Sequence, residues 1–310
     1  MMKKKILVVI VALLVLTTGC TKALTDGDNK RVINQETGQN LTANILCLPE
    51  DEKLLDQYKK YEKYLDVKLK DLPKCSNMKV YEKKSYNGLW VQLFVRPLAW
   101  AIIKLGKFVG NYGVSVMIIG LLIRLLMIPI SAKSAKQQEN MRKAQPEIER
   151  LERKYANKTD QESMMKKSQE TLNIYTKYNI NPMSTCLGSF LQLPLFFAFL
   201  EAINRVPAIF ENNFWKFQLG TTPLVGIKGG NYYYIILIVA IILFTALSFK
   251  NSMGSVSGNS EQMKQTKFMM IFMIVFIGIA SIQLPSAIAL YWVVTNAFSV
   301  VQGYIVKRRG

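Results

Sequence analysis

Arg124 is the residue in this sequence most able to do chemistry. It lies inside an apolar run from about Asn111 to Ile130, and a charge at the bilayer centre costs about 2.5–3.5 kcal/mol on insertion scales. Its distance from Ile130 is about 9 Å along a helix, so the guanidinium could snorkel to the cytoplasmic headgroups. A buried ion pair is the other way to hold it, but the later apolar runs contain no centrally placed Asp or Glu. We therefore expect Arg124 to face water held inside the protein.

Two polar stripes support such a wet cavity. Thr185, Ser189 and Gln192 recur at helical spacing in one apolar run, and Trp292, Thr295, Ser299 and Gln302 in another, with Tyr291 and Asn296 beside them. A single stripe of this kind would serve simply to hydrogen-bond helix to helix. Two stripes and an arginine read better as a hydrophilic groove.

Other chemistry is scarce. There is no histidine in the chain, which removes histidine bases, triads and His-ligated zinc together. Cys20, Cys47, Cys75 and Cys186 have no C-x-x-C spacing, so no metal site is expected. Glu201, near one end of an apolar run, is the acid that stands out among them. The expectation is a protein that is not an enzyme and uses no cofactor or metal.

The elements that would position these residues are membrane helices. Half of the 310 residues are hydrophobic, and the formal charge is +19. The apolar residues fall into blocks of about 20, the length that crosses the hydrocarbon core. Spans are predicted near 111–130, 183–204, 231–249, 267–284 and 286–306, with Gln283-Leu284-Pro285-Ser286 turning between the last two. Pro129, Pro194 and Pro285 would bend these helices or mark their ends.

Lys/Arg placement orients them. The 131–180 segment carries eleven Lys/Arg, and Lys250, Lys264, Lys307, Arg308 and Arg309 follow the later spans, whereas the 205–230 loop has only Arg205, Lys216 and Lys228. The prediction is five spans in a bacterial plasma membrane, with the N-terminus outside and the C-terminus cytoplasmic.

The 131–180 segment reads as a cytoplasmic helical hairpin. Met141, Ala144, Ile148, Leu151 and Tyr155 form a coiled-coil seam, and Met165, Ser168, Leu172 and Tyr175 would answer it. Thr159 and Glu162 would make a capping box for the second helix. Its charged surface suits a mobile paddle, or one that meets ribosomal RNA or anionic headgroups.

The N-terminal 1–19 read as a signal peptide: Lys3 to Lys5, an apolar run Ile6 to Leu16, then Thr17-Thr18-Gly19-Cys20. This resembles a bacterial lipobox in which Cys20 becomes the acylated, palmitate-bearing N-terminus; an uncleaved anchor is the alternative. Residues 20–88 would form an extracellular extension. A helix is expected over 51–72 with Leu54, Tyr58, Tyr61 and Leu65 on one face. Cys47 and Cys75 could pair or remain free. Residues 89–108 mix tryptophans, aliphatics and lysines as an interfacial amphipathic helix does, leaving 109–310 as the core.

In their order, five elements carry a resemblance. They are Ile123-Arg124-Leu125-Leu126-Met127-Ile128-Pro129 with Gln145-Pro146-Glu147-Ile148; Tyr178-Asn179-Ile180-Asn181-Pro182; Cys186 through Gln192-Leu193-Pro194; Leu284-Pro285-Ser286; and Leu290-Tyr291-Trp292 with Asn296. Together they resemble the YidC family of membrane protein insertases over roughly residues 90–309, in its Gram-positive, lipoprotein-type form.

That resemblance implies an all-α polytopic fold, five helices enclosing a groove open to the cytoplasm and lipid. The groove would be lined by Arg124, Gln192, Ser248, Tyr291, Trp292 and Thr295. It implies insertion and folding of nascent membrane proteins, alone or with the Sec translocon and ribosome, beside membrane lipid. No nucleic acid is expected beyond ribosomal contact.

The departures are Ser248-Phe249-Lys250 where many members have Gln before Lys, Met183-Ser184-Thr185 after the Asn-Pro, and the long 21–88 extension. A small-solute transporter or channel is the competing reading, although no internal repeat is seen. A membrane enzyme acting on lipid or cell-wall precursors ranks below it.

Overall fold

The computed structural model describes the backbone of residues 21–81, 88–253 and 261–309, and the side chains there except at 182–193, 251–253, 261–266 and 306–309. Long helices run over Tyr112–Leu126, Ile128–Lys154, Gln161–Lys177, Pro182–Arg205, Tyr233–Met253, Glu261–Gln283 and Ser286–Arg309. The chain divides into two units, each taken here by itself: 1–121 with 193–239 and 280–294, and 122–192 with 240–279 and 295–310.

Several helices are exposed where a soluble protein would be polar. The Tyr233–Lys250 stretch has a mean hydropathy of 2.2 and Ser286–Ile305 one of 1.3, and both are long enough to cross a membrane. Ile235, Ile236 and Val239 on the first helix are exposed, as are Phe268, Ile271, Phe272, Val275 and Phe276 on the apolar Lys267–Gln283 stretch. Apolar surface of this extent belongs against lipid. The chain is a membrane protein.

The first predicted span is not one straight helix. Tyr112–Leu126 and Ile128–Lys154 meet at Met127 with a bend of 57°. Pro129 explains it, because it has no amide to give the Leu125 carbonyl and its ring crowds that turn. The Met127 amide is shared between the Ile123 and Arg124 carbonyls, at 3.0 and 3.2 Å. The expected boundary at 130/131 therefore moves to 127, and the hairpin's first helix begins at Ile128.

In the first unit, residues 21–79 fold around a small core. Leu24, Val32, Leu41, Ala43, Ile45, Leu54, Tyr58 and Leu69 bury together with Phe210. The chain turns at Asp26, whose Oδ1 accepts from the Asp28 and Lys30 amides at 2.9 Å each, a local alternative to regular structure that aspartate favours. The helix expected over 51–72 is a single short one, Glu52–Lys60, followed by separate 3₁₀ turns. Asp51 caps it by accepting from Leu54 N at 2.8 Å. Leu54 and Tyr58 are buried as the periodicity predicts, with Tyr61 and Leu65 packed at the margin. Cys47 and Cys75 form a disulfide.

This extension is fastened to the last turn of Pro182–Arg205 and the loop after it. Leu46 N donates to Arg205 O at 2.8 Å, Thr42 Oγ1 to Asn204 O at 2.8 Å, and Thr221 Oγ1 to Thr37 O at 2.8 Å. Arg205 is 1% exposed; its Nε donates to Asn44 O at 2.8 Å, and its Nη1 lies 3.2 Å from Glu201 Oε2. Trp90 Nε1 donates to the other oxygen of Glu201 at 2.8 Å. A buried charge must be paired and hydrogen-bonded, and here each oxygen of Glu201 has its own donor.

Trp90 leads into a π-helical turn, Val91–Val95, and then into the helix Arg96–Val109 with Pro97 in its first turn. A π turn lodged before a proline lets the helix continue where Pro97 has no amide to offer. Arg96 is buried as well, with Nε donating to Lys79 O at 3.1 Å.

In the second unit the hairpin helices, Ile128–Lys154 and Gln161–Lys177, pack as a pair, and the first seam is as expected: Ala144, Ile148, Leu151 and Tyr155 are buried. The second seam is corrected. Met165 and Leu172 are 64% and 62% exposed, Ser168 is exposed, and of the four expected residues Tyr175 alone packs inward. Ile174, Tyr175, Tyr178 and Ile180 answer the first seam instead, packed with Ala144 and Ile148, and polar groups add to the contact. Tyr155 OH and Lys154 Nζ both donate to Glu170, and Tyr178 OH and Lys177 Nζ to Glu147, all within 2.6–2.9 Å. Each carboxylate takes two donors across the hairpin. The cap is also corrected: Asp160, not Thr159, accepts from Ser163 N at 2.8 Å, because a carboxylate also complements the positive helix end.

Candidate functional site

Arg124 sits two residues before the last turn ends at Leu126, half-buried, with its Nε shielded from solvent. The bend at Met127 ends regular helix just beyond it, so Pro129 both shapes the backbone and frees a carbonyl beside a charged side chain.

In the same unit, the last helix presents its polar stripe to the helix Tyr233–Met253. Asn296 Nδ2 donates to Thr245 Oγ1 at 3.2 Å, and Thr245 and Thr295 are buried. Ser299 Oγ donates back to the Thr295 carbonyl at 2.9 Å. Ser248 is half-buried on the same helix, three residues beyond Thr245. Asn296, beside the stripe, therefore links helix to helix, and Thr245, the acceptor, was not singled out in the sequence although it precedes Ser248 at helical spacing.

In the first unit, the aromatic pair of the last helix stacks on phenylalanines of Pro182–Arg205. Tyr291 lies on Phe199 with centroids 4.3 Å apart, and Trp292 lies parallel to Phe196 at 5.3 Å. Tyr291 is 1% exposed, whereas Trp292 is half-buried. Offset stacking of this kind adds about 0.5–1.5 kcal/mol beyond area burial. Of the two, Trp292 has the surface left over to meet another molecule.

Arg124, Ser248 and Thr295 thus share one unit, and Tyr291 and Trp292 the other. The Gln192 side chain and Cys20 lie outside the described residues. Among the described residues no cluster of three or more His, Cys, Asp or Glu is arranged to hold a metal ion.

The buried Glu201–Arg205 pair was missed as a pair. Its signal was present, an acid and a base four apart at the end of an apolar run, which places both on one helix face.

A family model described as 60Kd inner membrane protein matches residues 104–310. Membrane protein insertase YidC 2 of Listeria innocua serovar 6a is 38% identical over 225 residues, 72% of this chain and 74% of its own length. Membrane protein insertase YidC 2 of Bacillus anthracis is 35% identical over 234 residues, 75% of this chain and 87% of that one. Membrane protein insertase MisCA of Bacillus subtilis strain 168 is 33% identical over 234 residues, 75% and 85% of the two chains. Among solved structures, an active YidC insertase crystal structure with the first transmembrane domain resolved aligns at a TM-score of 0.49 and 24% identity. That alignment covers 70% of this chain and 47% of the solved one.

Proposed function

The chain belongs to the 60Kd inner membrane protein family, and from that premise we propose that it is a YidC-type insertase whose Arg124 lies in a hydrophilic groove within the membrane. Relatives named as membrane protein insertases, 33–38% identical over most of their length, support the activity. The single observation that carries the mechanism is an arginine in an apolar helix, kept close to a proline-induced bend.

In this reading five spans enclose the groove, the N-terminus lies outside, and Cys20 carries the lipid anchor. The extension over 20–88 is extracellular, 89–108 lies along the interface, and the 109–310 core includes the cytoplasmic hairpin.

A nascent chain with a short outer segment enters from the cytoplasm. Arg124, with polar groups such as Gln192, Ser248 and Thr295, replaces part of the hydration that segment loses and attracts its negative charge. The client's apolar helix then passes beside Trp292, which the buried Tyr291 precedes, into lipid, where hydrophobic transfer drives it onward. No bond is made or broken. Ribosome and Sec translocon are proposed partners on the cytoplasmic side and in the membrane plane.

Insertion into proteoliposomes tests this. A short single-span nascent chain with an acidic outer segment is supplied to vesicles with and without the protein. Protease protection of the outer segment above that in empty vesicles is the expected result; equal protection in both would overturn the reading.

A further inference from the structure

The loop between Pro182–Arg205 and Tyr233–Met253 carries a short β-hairpin with a tryptophan at its tip. Asn213–Phe214 pairs with Phe217–Gln218, and the turn is Trp215-Lys216. Trp215 is held at φ +52°, a left-handed conformation that a bulky side chain adopts at a cost of about 1–2 kcal/mol. It is also 65% exposed, although its ring lies edge-on to Tyr233 at 5.0 Å and to Phe217 at 5.7 Å. Neither burial nor backbone preference accounts for a tryptophan at this position.

Beside the tip lies a cavity of about 660 Å³ lined by Lys216, Gly229, Gly230, Asn231, Tyr232, Tyr233 and Ile236. Its rim is fixed: Asn231 Nδ2 donates to Lys216 O at 2.7 Å, and Tyr234 OH accepts from Gln218 N at 2.9 Å. Among the described residues, the Lys216 ammonium has no carboxylate partner. Tyr232 is 68% exposed and Tyr233 44%.

The charge around the cavity is of one sign. Between residues 206 and 233 the chain has Lys216 and Lys228 and a single acid, Glu211, whose carboxylate is engaged by the Glu50 and Asp51 amides. Immediately below, the exposed face of the span begins with Ile235, Ile236 and Val239. Cation, tyrosines and tryptophan above an apolar helix face reproduce the order of chemistry across a membrane interface: phosphate, glycerol, acyl chain.

We propose that this cavity binds the headgroup of an anionic phospholipid of the outer leaflet. Lys216 meets the phosphate, Tyr232 and Tyr233 the glycerol region, and Trp215 and Ile236 the first acyl carbons. The site rests on the membrane topology proposed above, with the 205–231 loop outside. It gives the hairpin a task that insertion itself does not assign, that of fixing the outer end of the span to lipid.

Tryptophan quenching by brominated lipid tests it. The full chain is reconstituted in phosphatidylcholine vesicles containing phosphatidylglycerol, with one lipid or the other brominated near the start of its acyl chains. The difference between wild type and Trp215→Phe isolates the Trp215 signal from that of the other three tryptophans. Trp215 is expected to be quenched with about a fivefold preference for brominated phosphatidylglycerol, and Lys216→Glu and Lys216→Gln should each abolish the preference. Soluble glycerol 1-phosphate should not compete; abolition of the preference by that compound would show a site for free phosphate esters and overturn the lipid assignment. Equal quenching by both lipids, unaffected at Lys216, would overturn the headgroup site. If Trp215 is not quenched while the other tryptophans are, this site fails and the membrane reading stands. If no tryptophan is quenched, the membrane topology fails with it.

Discussion

The extension and the hairpin are held to their neighbouring helices by opposite means. The extension is fastened by a disulfide, by the buried Glu201–Arg205 pair and by a core that includes Phe210. In the hairpin, Glu147 and Glu170 reach Lys177 and Lys154 through ion pairs that water surrounds, and Met165 and Leu172 are left in solvent. Exposed pairs contribute little and are screened by salt. A buried pair is costly to break from one side, because the remaining charge has no water to return to. The first region is therefore held by buried contacts, and the second in part by ion pairs that contribute little.

Removing one buried charge should have the largest effect. Arg205→Ala leaves Glu201 buried with the Trp90 donor alone, and we expect a loss of about 3–5 kcal/mol in denaturant unfolding of the micelle-solubilised protein. Replacing both residues by apolar ones of similar volume should recover much of that loss; a double variant as unstable as the single would show that the pair is not the fastening element. Next comes the disulfide, which closes a loop between positions 28 apart. Cys47→Ser with Cys75→Ser should cost about 2–4 kcal/mol and expose residues 21–79 to protease before the helices unfold.

Glu211 gives a smaller, pH-dependent effect. Burial first, and the nearby Glu50 and Asp51 charges after it, push its carboxyl up from 4.5 to about 7, against the Glu50 and Asp51 amides that favour the ionised form. A carboxyl whose folded value is raised stabilises the fold while protonated in both states; that contribution falls as pH rises from about 4.5 through about 7. Glu211→Gln should therefore raise the thermal midpoint by about 2 °C at pH 8 relative to wild type, with no gain at pH 4. A gain of the same size at both values would point to packing rather than ionisation.

Glu147→Gln and Glu170→Gln should change least. Lys177 and Tyr178 hold the Glu147 carboxyl below its usual range, and Lys154 and Tyr155 do the same for Glu170. Both groups are at the surface, so global unfolding should be unmoved while amide exchange quickens in the hairpin alone, more at low salt than at high. A large shift in the global transition would erase the contrast between the two regions.

The long helices were legible from apolar blocks of about 20 residues: the stretches around 183–204, 231–249, 267–284 and 286–306 are all helical. Glu201 and Arg205 could have been paired from their spacing. The second hairpin seam was misread from periodicity, because Met165 and Leu172 look like core, yet the apolar contact is made further along, by Ile174, Tyr175, Tyr178 and Ile180. The extension was least legible of all. Its core borrows Phe210 from a loop about 150 residues later in the chain, and no local pattern reports a contact at that separation. At the candidate groove, the sequence singled out Arg124 from its cost in lipid, but it could not tell that Tyr291 would be sealed against Phe199 while Trp292 kept exposed surface.

The account stands on Arg124, and one comparison addresses it directly. Protease protection of a single-span client with an acidic outer segment is measured in proteoliposomes bearing wild type, Arg124→Lys or Arg124→Ala. Protection by wild type and Arg124→Lys, with Arg124→Ala reduced to the level of empty vesicles, is the predicted result. Protection by Arg124→Ala equal to wild type, for every single-span client tried, would contradict the role given to this residue.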